Sequence, residues 1–163
     1  MKASDIDFAM ATESAPECDG LVGRWSEDEY RDSLADPKHR HWLFEQGGTL
    51  AGFVIGYDLV SAGAGFYLKR IVVSCKARGL GRRAIYLVSD LARRQLGAPY
   101  LWLGVYPHNA RAIRCYEAAG LRPFDAKPKA LARHRMLSDG AALDVCLLYK
   151  ADLPLTDPCC VRD

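Results

Sequence analysis

Two glycines stand one residue apart where an apolar strand pattern gives way to a helical pattern, in the segment RIVVSCKARGLGRRA. Gly79 and Gly81 permit backbone conformations and close approaches that other residues do not. A helix that begins at this point presents unpaired backbone N–H groups and the positive end of its dipole, which bind phosphate. Four cations surround the glycines: Lys76, Arg78, Arg82 and Arg83. The segment therefore predicts a binding site for a phosphorylated cofactor.

Two common phosphate-binding motifs do not fit these residues. The P-loop requires Lys followed by Ser or Thr after its last glycine, whereas Arg82 and Arg83 follow Gly81. The dinucleotide-binding fingerprint requires a third glycine and an acid after the next strand, and both are missing. Taken alone, the turn is also compatible with a tight strand-to-helix connection that binds nothing.

A second motif, one helix downstream, narrows the choice. The segment YLWLGVYPHNARAIRCYEAAGL contains the pattern N-x-x-[AS]-x-x-x-Y-x-x-x-G-[FL]. Together with the glycine turn, this pattern resembles the GNAT superfamily of acyl-CoA-dependent N-acyltransferases, most closely over residues 66–124 and more weakly over 41–150. The residues that carry the second motif are Asn109, Ala112, Tyr116, Gly120 and Leu121.

The glycine turn fits the family pattern [RQ]-x-x-G-x-[GA] in either of two registers. Lys76 takes the first position if Gly79 and Gly81 take the glycine positions. Arg78 takes the first position if Gly81 takes the middle one, and Arg83 then stands where Gly or Ala belongs. We prefer the first register because it retains both glycines.

The resemblance implies that acetyl-CoA is the co-substrate. Its pyrophosphate would lie on the N–H groups of residues 78–83, and its pantetheine arm would run beside strand 66–73, bonded to the backbone near Ile71 and Val73. The sheet of such a protein splays apart at this point and opens a slot for the thioester. The cofactor-binding residues implied in this way are Ile71, Val72, Val73, Lys76, Arg78, Gly79, Leu80, Gly81, Arg82, Arg83, Asn109 and Tyr116.

Acetyl transfer requires a neutral amine, a donor for the tetrahedral oxyanion and a proton for the departing thiolate. By the resemblance, Tyr116 would point its hydroxyl at the CoA sulfur and act as the general acid. A phenol with the usual pKa of about 10 is protonated at neutral pH. The oxyanion donor would be a backbone N–H at Val72 or Val73.

The general base stays open. Many relatives carry Glu where Lys69 stands, and an ammonium group cannot accept a proton. His108 could relay a proton, Glu45 and Tyr57 are weaker candidates, and a water chain or capture of the small fraction of free amine would serve as well. Cys115 lies on a different helix face from the tyrosine that follows it, so we assign it to the core.

The acceptor pocket of such enzymes is usually built by the early helices and by the loop before the last strand. Residues 1–36 carry ten acids against three bases, and the loop at 126–135 is basic. We therefore expect a cationic amine that also carries an anion, either a peptide or protein N-terminus or a small amine. By analogy of fold, the resemblance is greatest to N-terminal acetylases of ribosomal proteins. The acids expected to attract the amine are Glu27, Asp28, Glu29, Asp32 and Asp36.

Two functions of other classes stay open beside the enzyme. A non-catalytic CoA-binding sensor module is favoured only by the lysine at the position of the base. A nucleotide-binding domain of the Rossmann type is disfavoured by the missing glycine and the missing acid. Affinity for CoA and turnover of acetyl-CoA would separate the three.

The composition is that of one ordinary globular domain, which we place at 1–153 with a disordered tail at 154–163. Of the 163 residues, 50% are hydrophobic and 26% are charged, which suffices for one core. The net charge of +2 gives no global indication of a nucleic-acid or membrane partner. The six cysteines lack zinc-ligand spacing, and no stretch resembles a signal peptide or a membrane span. We expect a cytoplasmic protein with reduced thiols and no metal, and its short edge strands allow a homodimer.

The hydrophobic periodicity predicts an α/β fold in which a central mixed sheet, splayed at the cofactor slot, carries helices on both faces. Residues 1–23 show no clear pattern. Ser26 and Glu29 form a capping box for a helix that ends before Pro37, and Trp25 and Tyr30 form its hydrophobic staple. The other predicted elements are strands at 42–45, 50–57, 66–73, 100–106 and 143–150 and helices at 80–96 and 109–120.

Overall fold

A six-stranded mixed sheet forms the centre of the computed structural model, which describes residues 1–74, 79–125 and 146–153. Its order is β1-β2-β3-β4-β6-β5, and only β3 and β4 run parallel. The strands are β1 (His39–Gln46), β2 (Thr49–Asp58), β3 (Phe66–Val73), β4 (Tyr100–Val105), β5 (Arg122–Pro123) and β6 (Leu147–Asp152). The helices are α1 (Ile6–Glu13), α2 (Glu27–Ala35), α3 (Leu80–Leu96) and α4 (Ala110–Ala118).

The sheet splays between β3 and β4. These two strands pair only through Phe66 with Leu101 and through Tyr67 with Trp102, at the beginning of each strand. Beyond those pairs β3 continues for six residues without a strand beside it on that edge, in the part of the chain that the structure describes. The predicted mixed α/β sheet with a slot between its central strands is confirmed.

Helices cover both faces of the sheet. On one face α3 and α4 pack on a core that includes Val54, Phe66, Leu101 and Tyr149. On the other face the N-terminal segment packs on a second core around Tyr30, and an aromatic cluster continues that face toward β6. The layers follow from strand alternation, because successive side chains of a strand point to opposite faces.

The predicted elements are present, and two of them have the predicted bounds. The strand at 66–73 and the helix at 80–96 agree with the structure at both ends, and Gly97, with a φ of 64°, ends α3. In the capping box of α2, the N–H of Glu29 donates to Ser26 Oγ over 3.3 Å, and the N–H of Ser26 donates to Glu29 Oε2 over 2.7 Å. The rings of the staple, Trp25 and Tyr30, meet edge to face with centroids 5.3 Å apart.

Several details differ from the prediction, and one of them is that β1 begins at His39 instead of residue 42. Helix α1 was not predicted, and it lies in the segment that showed no pattern. Its buried face combines the polar side chains of Thr12 and Glu13 with Ile6 and Ala9, so the helix has no continuous apolar stripe. The two-residue strand β5 was not predicted. The last strand runs from Leu147 to Asp152, two residues further than predicted. Residues 143–145 and the predicted tail at 154–163 lie outside the described residues.

Candidate active site

The open edge of β3 presents backbone groups to the slot. Ser74 donates its N–H to the carbonyl oxygen of Ala51 over 2.9 Å, so this end of β3 is hydrogen-bonded to β2 at every second residue. Val72 is bonded to β2 in the same way, and a Cβ on Gly52 would lie 2.2 Å from the Val72 carbonyl oxygen. The alternating pattern turns the N–H of Val73 toward the slot.

The glycine turn leads directly into α3. Gly79 caps the helix with a φ of 71°, in the left-handed region that favours glycine, and open space surrounds the position of a Cβ. Gly81 is favoured for a different reason, because a Cβ there would lie 3.2 Å from the Cys115 sulfur on α4, which is a tight contact. Lys76 and Arg78 lie outside the described residues.

A cleft of about 280 Å³ joins the open edge of β3 to the beginnings of α3 and α4. Arg83 is exposed and is not among the lining residues. The cleft brings together nine of the residues predicted for the cofactor: Ile71, Val72, Val73, Gly79, Leu80, Gly81, Arg82, Asn109 and Tyr116. It is also lined by Ile85, Arg111, Ala112 and Cys115, which the prediction did not include. We call these thirteen residues the cofactor wall.

Two residues of the second motif have defined surroundings. Asn109 caps α4, since its Oδ1 accepts the N–H of Ala112 over 3.1 Å, and this bond leaves the amide nitrogen of Asn109 available to donate. Tyr116 is 9% exposed. Burial, and to a lesser extent the neighbouring Cys115, raises the pKa of the Tyr116 phenol above its ordinary value. The hydroxyl therefore keeps its proton at neutral pH.

The opposite side of the cleft is a segment between α1 and α2 that sequence reasoning missed. Glu17, Cys18, Leu21 and Val22 line the cleft, and we call them the N-terminal wall. No sequence signal marked them, because their place depends on contacts with residues far along the chain.

The N-terminal wall is held at two carbonyl groups. His108 Nε2 donates to the Gly20 carbonyl oxygen over 3.0 Å, across 88 positions of sequence. The guanidinium of Arg70 donates to the Gly23 carbonyl oxygen. One contact comes from the end of β4 and the other from β3, so the segment spans the slot from one splayed strand to the other.

A buried ion pair supports the second contact. Arg70 Nη1 lies 3.2 Å from Glu13 Oε2, and the two side chains are 5% and 1% exposed. Tyr30 donates its hydroxyl to the same carboxylate over 2.9 Å, and the backbone N–H of Trp25 donates to Glu13 Oε1 over 2.8 Å. The Arg70 guanidinium also stacks on the Trp25 ring, 4.2 Å from its centroid. The network joins α1, α2 and β3 at one point.

The candidate bases are dispersed. Lys69 is the extra residue of a β-bulge, because Ile55 pairs with Arg70 while the next residue of β2 pairs with Leu68. Tyr57 is buried under the His39 ring, and Glu45 is exposed near the β-hairpin turn. None of the three candidate bases, His108, Glu45 and Tyr57, lines the cleft, and neither does Lys69 at the position where relatives carry Glu.

The acids expected to attract the amine also lie elsewhere. Glu27 pairs with Arg31, Glu29 belongs to the capping box, and Asp36 accepts the N–H of Lys38. None of the five acids, Asp28 and Asp32 included, lines the cleft. The single carboxylate among the described lining residues is Glu17.

The described residues contain neither a metal-binding group nor a membrane-spanning helix. No group of three or more His, Cys, Asp or Glu side chains is placed to hold a metal ion, within residues 1–74, 79–125 and 146–153. Among the helices in those ranges, none has the length and apolar character to cross a membrane.

Solved structures with a similar fold include acetyltransferases. The ribosomal-protein-S18-alanine N-acetyltransferase from Escherichia coli is 20% identical, with a TM-score of 0.69 over 97% of this chain and 94% of that one. A spermidine N-acetyltransferase chimera of the Vibrio cholerae and human enzymes is 15% identical, with a TM-score of 0.69 over 94% and 92%. An aminoglycoside acetyltransferase in complex with coenzyme A and kanamycin is 16% identical, with a TM-score of 0.69 over 93% and 90%. At these identities the likeness shows the fold alone.

The sequence itself identifies the family. No curated protein matches the chain significantly. A model of the acetyltransferase (GNAT) family matches residues 8–121, which are 114 of the 163 residues and include both walls of the cleft. The chain therefore belongs to the acetyltransferase (GNAT) family, and the prediction of an acetyl-CoA-dependent N-acetyltransferase is confirmed.

Proposed function

We propose that the cleft binds acetyl-CoA and that an acceptor amine attacks the thioester directly, in a ternary complex. One observation carries the proposal: the open edge of β3, the turn at Gly79 and the buried hydroxyl-bearing ring of Tyr116 line a single cleft. The backbone of Ile71 and Val73 would bond the pantetheine as an added strand does. The N–H groups at the beginning of α3 would hold the pyrophosphate.

The chemistry divides among three groups. The N–H of Val73, which turns away from β2, is our choice for the donor to the oxyanion, in preference to Val72. Tyr116, kept protonated by its burial, would give its proton to the departing CoA thiolate. Asn109 would donate its amide N–H to the pantetheine. No histidine is among the described lining residues. We therefore propose either that the amine loses its proton to solvent or that the enzyme binds the fraction of amine that is already neutral.

The acceptor amine would enter from the N-terminal wall. Glu17 supplies the single described carboxylate of the cleft, and we place the ammonium group of the acceptor beside it before deprotonation. The similar structures act on a protein N-terminal alanine, spermidine and aminoglycosides, all of which are amines. A peptide N-terminus or a small amine therefore remains our proposed acceptor. A cytoplasmic location and homodimerisation remain predictions.

A thiol-release assay tests the proposed function. Acetyl-CoA is offered with peptides that have free N-termini, polyamines, aminoglycosides and amino acids. We expect release with one amine class and a loss of about 100-fold in kcat for Tyr116→Phe, with the Kd of acetyl-CoA changed by less than about twofold. Tyr86→Phe is the matched control, because Tyr86 is exposed on α3. Tight CoA binding without release from any amine would instead favour the non-catalytic sensor module.

The assay also tests the place of the acceptor. We expect Glu17→Gln to raise the KM of the accepted amine by about tenfold while the Kd of acetyl-CoA stays constant, since a charge-assisted hydrogen bond is lost. Glu27→Gln removes the same charge from the surface and serves as control. An unchanged KM in Glu17→Gln would refute this placement without affecting the role of Tyr116.

A further inference from the structure

Four arginines are unusual in lacking a partner. Within residues 1–74, 79–125 and 146–153, the arginines that form an ion pair or a hydrogen bond are Arg24, Arg31, Arg40, Arg70, Arg93, Arg94 and Arg122. In the same ranges Arg82, Arg83, Arg111 and Arg114 form neither. The first two lie in the first turn of α3, Arg111 lies in the first turn of α4, and Arg114 lies one turn farther along α4. The unpartnered guanidinium groups are therefore confined to one region.

Helices α3 and α4, which carry these four charges, lie side by side. Gly81, in the first turn of α3, lies against Cys115, which is past the middle of α4. Tyr86 donates its hydroxyl to the Ala118 carbonyl oxygen over 3.4 Å, farther along both helices. Both contacts advance in the same direction along the two helices, so both helices begin at the same end. Burial raises the pKa of the Cys115 thiol, and the guanidinium charges of Arg82 and Arg111 act against that rise.

This concentration of charge is unfavourable without a counter-ion. Cations are destabilised at the beginning of a helix, where the dipole is positive, and like charges on adjacent helices repel each other. Arg82 and Arg111 line the cleft itself. The arrangement therefore calls for a ligand with several negative charges rather than a single phosphate.

Coenzyme A carries charge of the required amount in two separate places. Its pyrophosphate bears about two negative charges, and the phosphomonoester on the ribose 3′-oxygen bears about 1.5 to 2 at neutral pH. The turn at Gly79, with Arg82 and Arg83, is assigned to the pyrophosphate in the proposed function. The pair on α4 then remains for the second phosphate, which is attached to the same ribose.

We propose that Arg111 and Arg114 form a second phosphate subsite that binds the 3′-phosphate of the CoA adenosine. Arg111 reaches it from the cleft, and Arg114 reaches it from one turn farther along the same side of α4. The inference rests on the proposed function, because it presupposes that CoA occupies the cleft. It gives the protein a preference for CoA over dephospho-CoA that does not depend on the acceptor.

Calorimetric titration with CoA and dephospho-CoA tests the subsite. We expect the wild-type protein to bind CoA at least about tenfold more tightly than dephospho-CoA. The double variant Arg111→Gln, Arg114→Gln should reduce the ratio to within about twofold and change the Kd of dephospho-CoA by less than about threefold. The matched control is Arg93→Gln, Arg94→Gln, which removes two charges at the other end of α3, where both arginines pair with Asp90.

A second measurement needs no variant. Adenosine 3′,5′-bisphosphate should displace CoA from the wild-type protein at about one-tenth of the concentration that 5′-AMP requires, and salt should reduce this difference.

Each contrary outcome has a distinct meaning. A wild-type protein that binds CoA and dephospho-CoA equally would overturn the subsite and leave the proposed function intact. A double variant that weakens both ligands equally would assign the arginines to the pyrophosphate and would also overturn it. Failure of the wild-type protein to bind either ligand would overturn the proposed function, and the subsite with it.

Discussion

The two walls of the cleft are built in different ways. The cofactor wall is made from a strand, a glycine turn and two helices that are close in sequence. Its shape is set mostly by the local backbone conformation of these elements. The N-terminal wall has little regular structure and is held by Arg70 across 47 positions and by His108 across 88. The cofactor wall therefore depends on local conformation, whereas the N-terminal wall depends on a few long-range polar contacts.

The largest effect is expected from removal of the buried Glu13 carboxylate, which supports the N-terminal wall through Arg70. Glu13→Leu leaves the Arg70 guanidinium buried without its counter-ion, and we expect the free energy of unfolding to fall by about 3 to 5 kcal/mol. Urea denaturation measures the loss. Glu27→Leu is the control, because its partner Arg31 is exposed. A loss below about 1 kcal/mol for Glu13→Leu would show that the N-terminal wall does not depend on the pair.

The second-largest effect is expected from acid, which should lower the stability of the protein through protonation of His41. Burial, with the nearby His39 and the N-terminal amine, lowers the pKa of His41 to about 4. Because the unfolded chain titrates near pH 6.5, stability is complete above that pH and is lost as the pH falls toward 4.

Urea denaturation between pH 4.5 and 7.5 measures this loss. We expect it to be about 1 to 2 kcal/mol after allowance for partial exposure, and smaller in His41→Gln. Equal slopes against pH in both proteins would exclude His41 as the cause. Ser33 bonds both His39 and His41 over 2.8 Å, so His39→Gln is informative as a second variant.

The glycines at the two ends of α3 separate the effect of backbone strain from the effect on CoA binding. Gly79 and Gly97 both have φ near 70°, with open space around the position of a Cβ. Changing either to Ala should lower the free energy of unfolding by about 1 kcal/mol, since the strain is the same. Only Gly79→Ala should weaken CoA binding, which calorimetry measures. Equal CoA affinity in both variants would argue against a phosphate at the turn.

The smallest effect is expected from loss of the hydrogen bond of His108, which lies in the loop after β4. His108 is exposed, and His108→Ala removes one hydrogen bond to the Gly20 carbonyl, so we expect a change in the free energy of unfolding below about 1 kcal/mol. The KM of the acceptor amine should rise by about two- to fivefold, and the KM of acetyl-CoA should stay constant. A larger effect on acetyl-CoA than on the amine would place this contact on the cofactor side.

The extent of the sequence prediction follows the same division. The bounds of β3 and α3 and the cap of α2 were correct because alternation, glycine and capping residues act within a few positions. Helix α1 was missed because Glu13 is buried for a partner 57 positions away, and no local pattern records that partner. The five acids near α2 were expected near the amine, but their charges are exposed or satisfied locally.

The sequence by itself determined the family, the strand–turn–helix that precedes the cleft, and the spacing that places Asn109 and Tyr116 on one helix. These features depend on backbone conformation and helical period, which short segments specify. Only the tertiary structure decided that β3 and β4 separate after two residue pairs. It also decided that Glu17 lines the cleft and that Arg82 and Arg111 line it together. Such features depend on which distant groups satisfy one another, because a buried charge or a free strand edge acquires its partner only when the chain has folded.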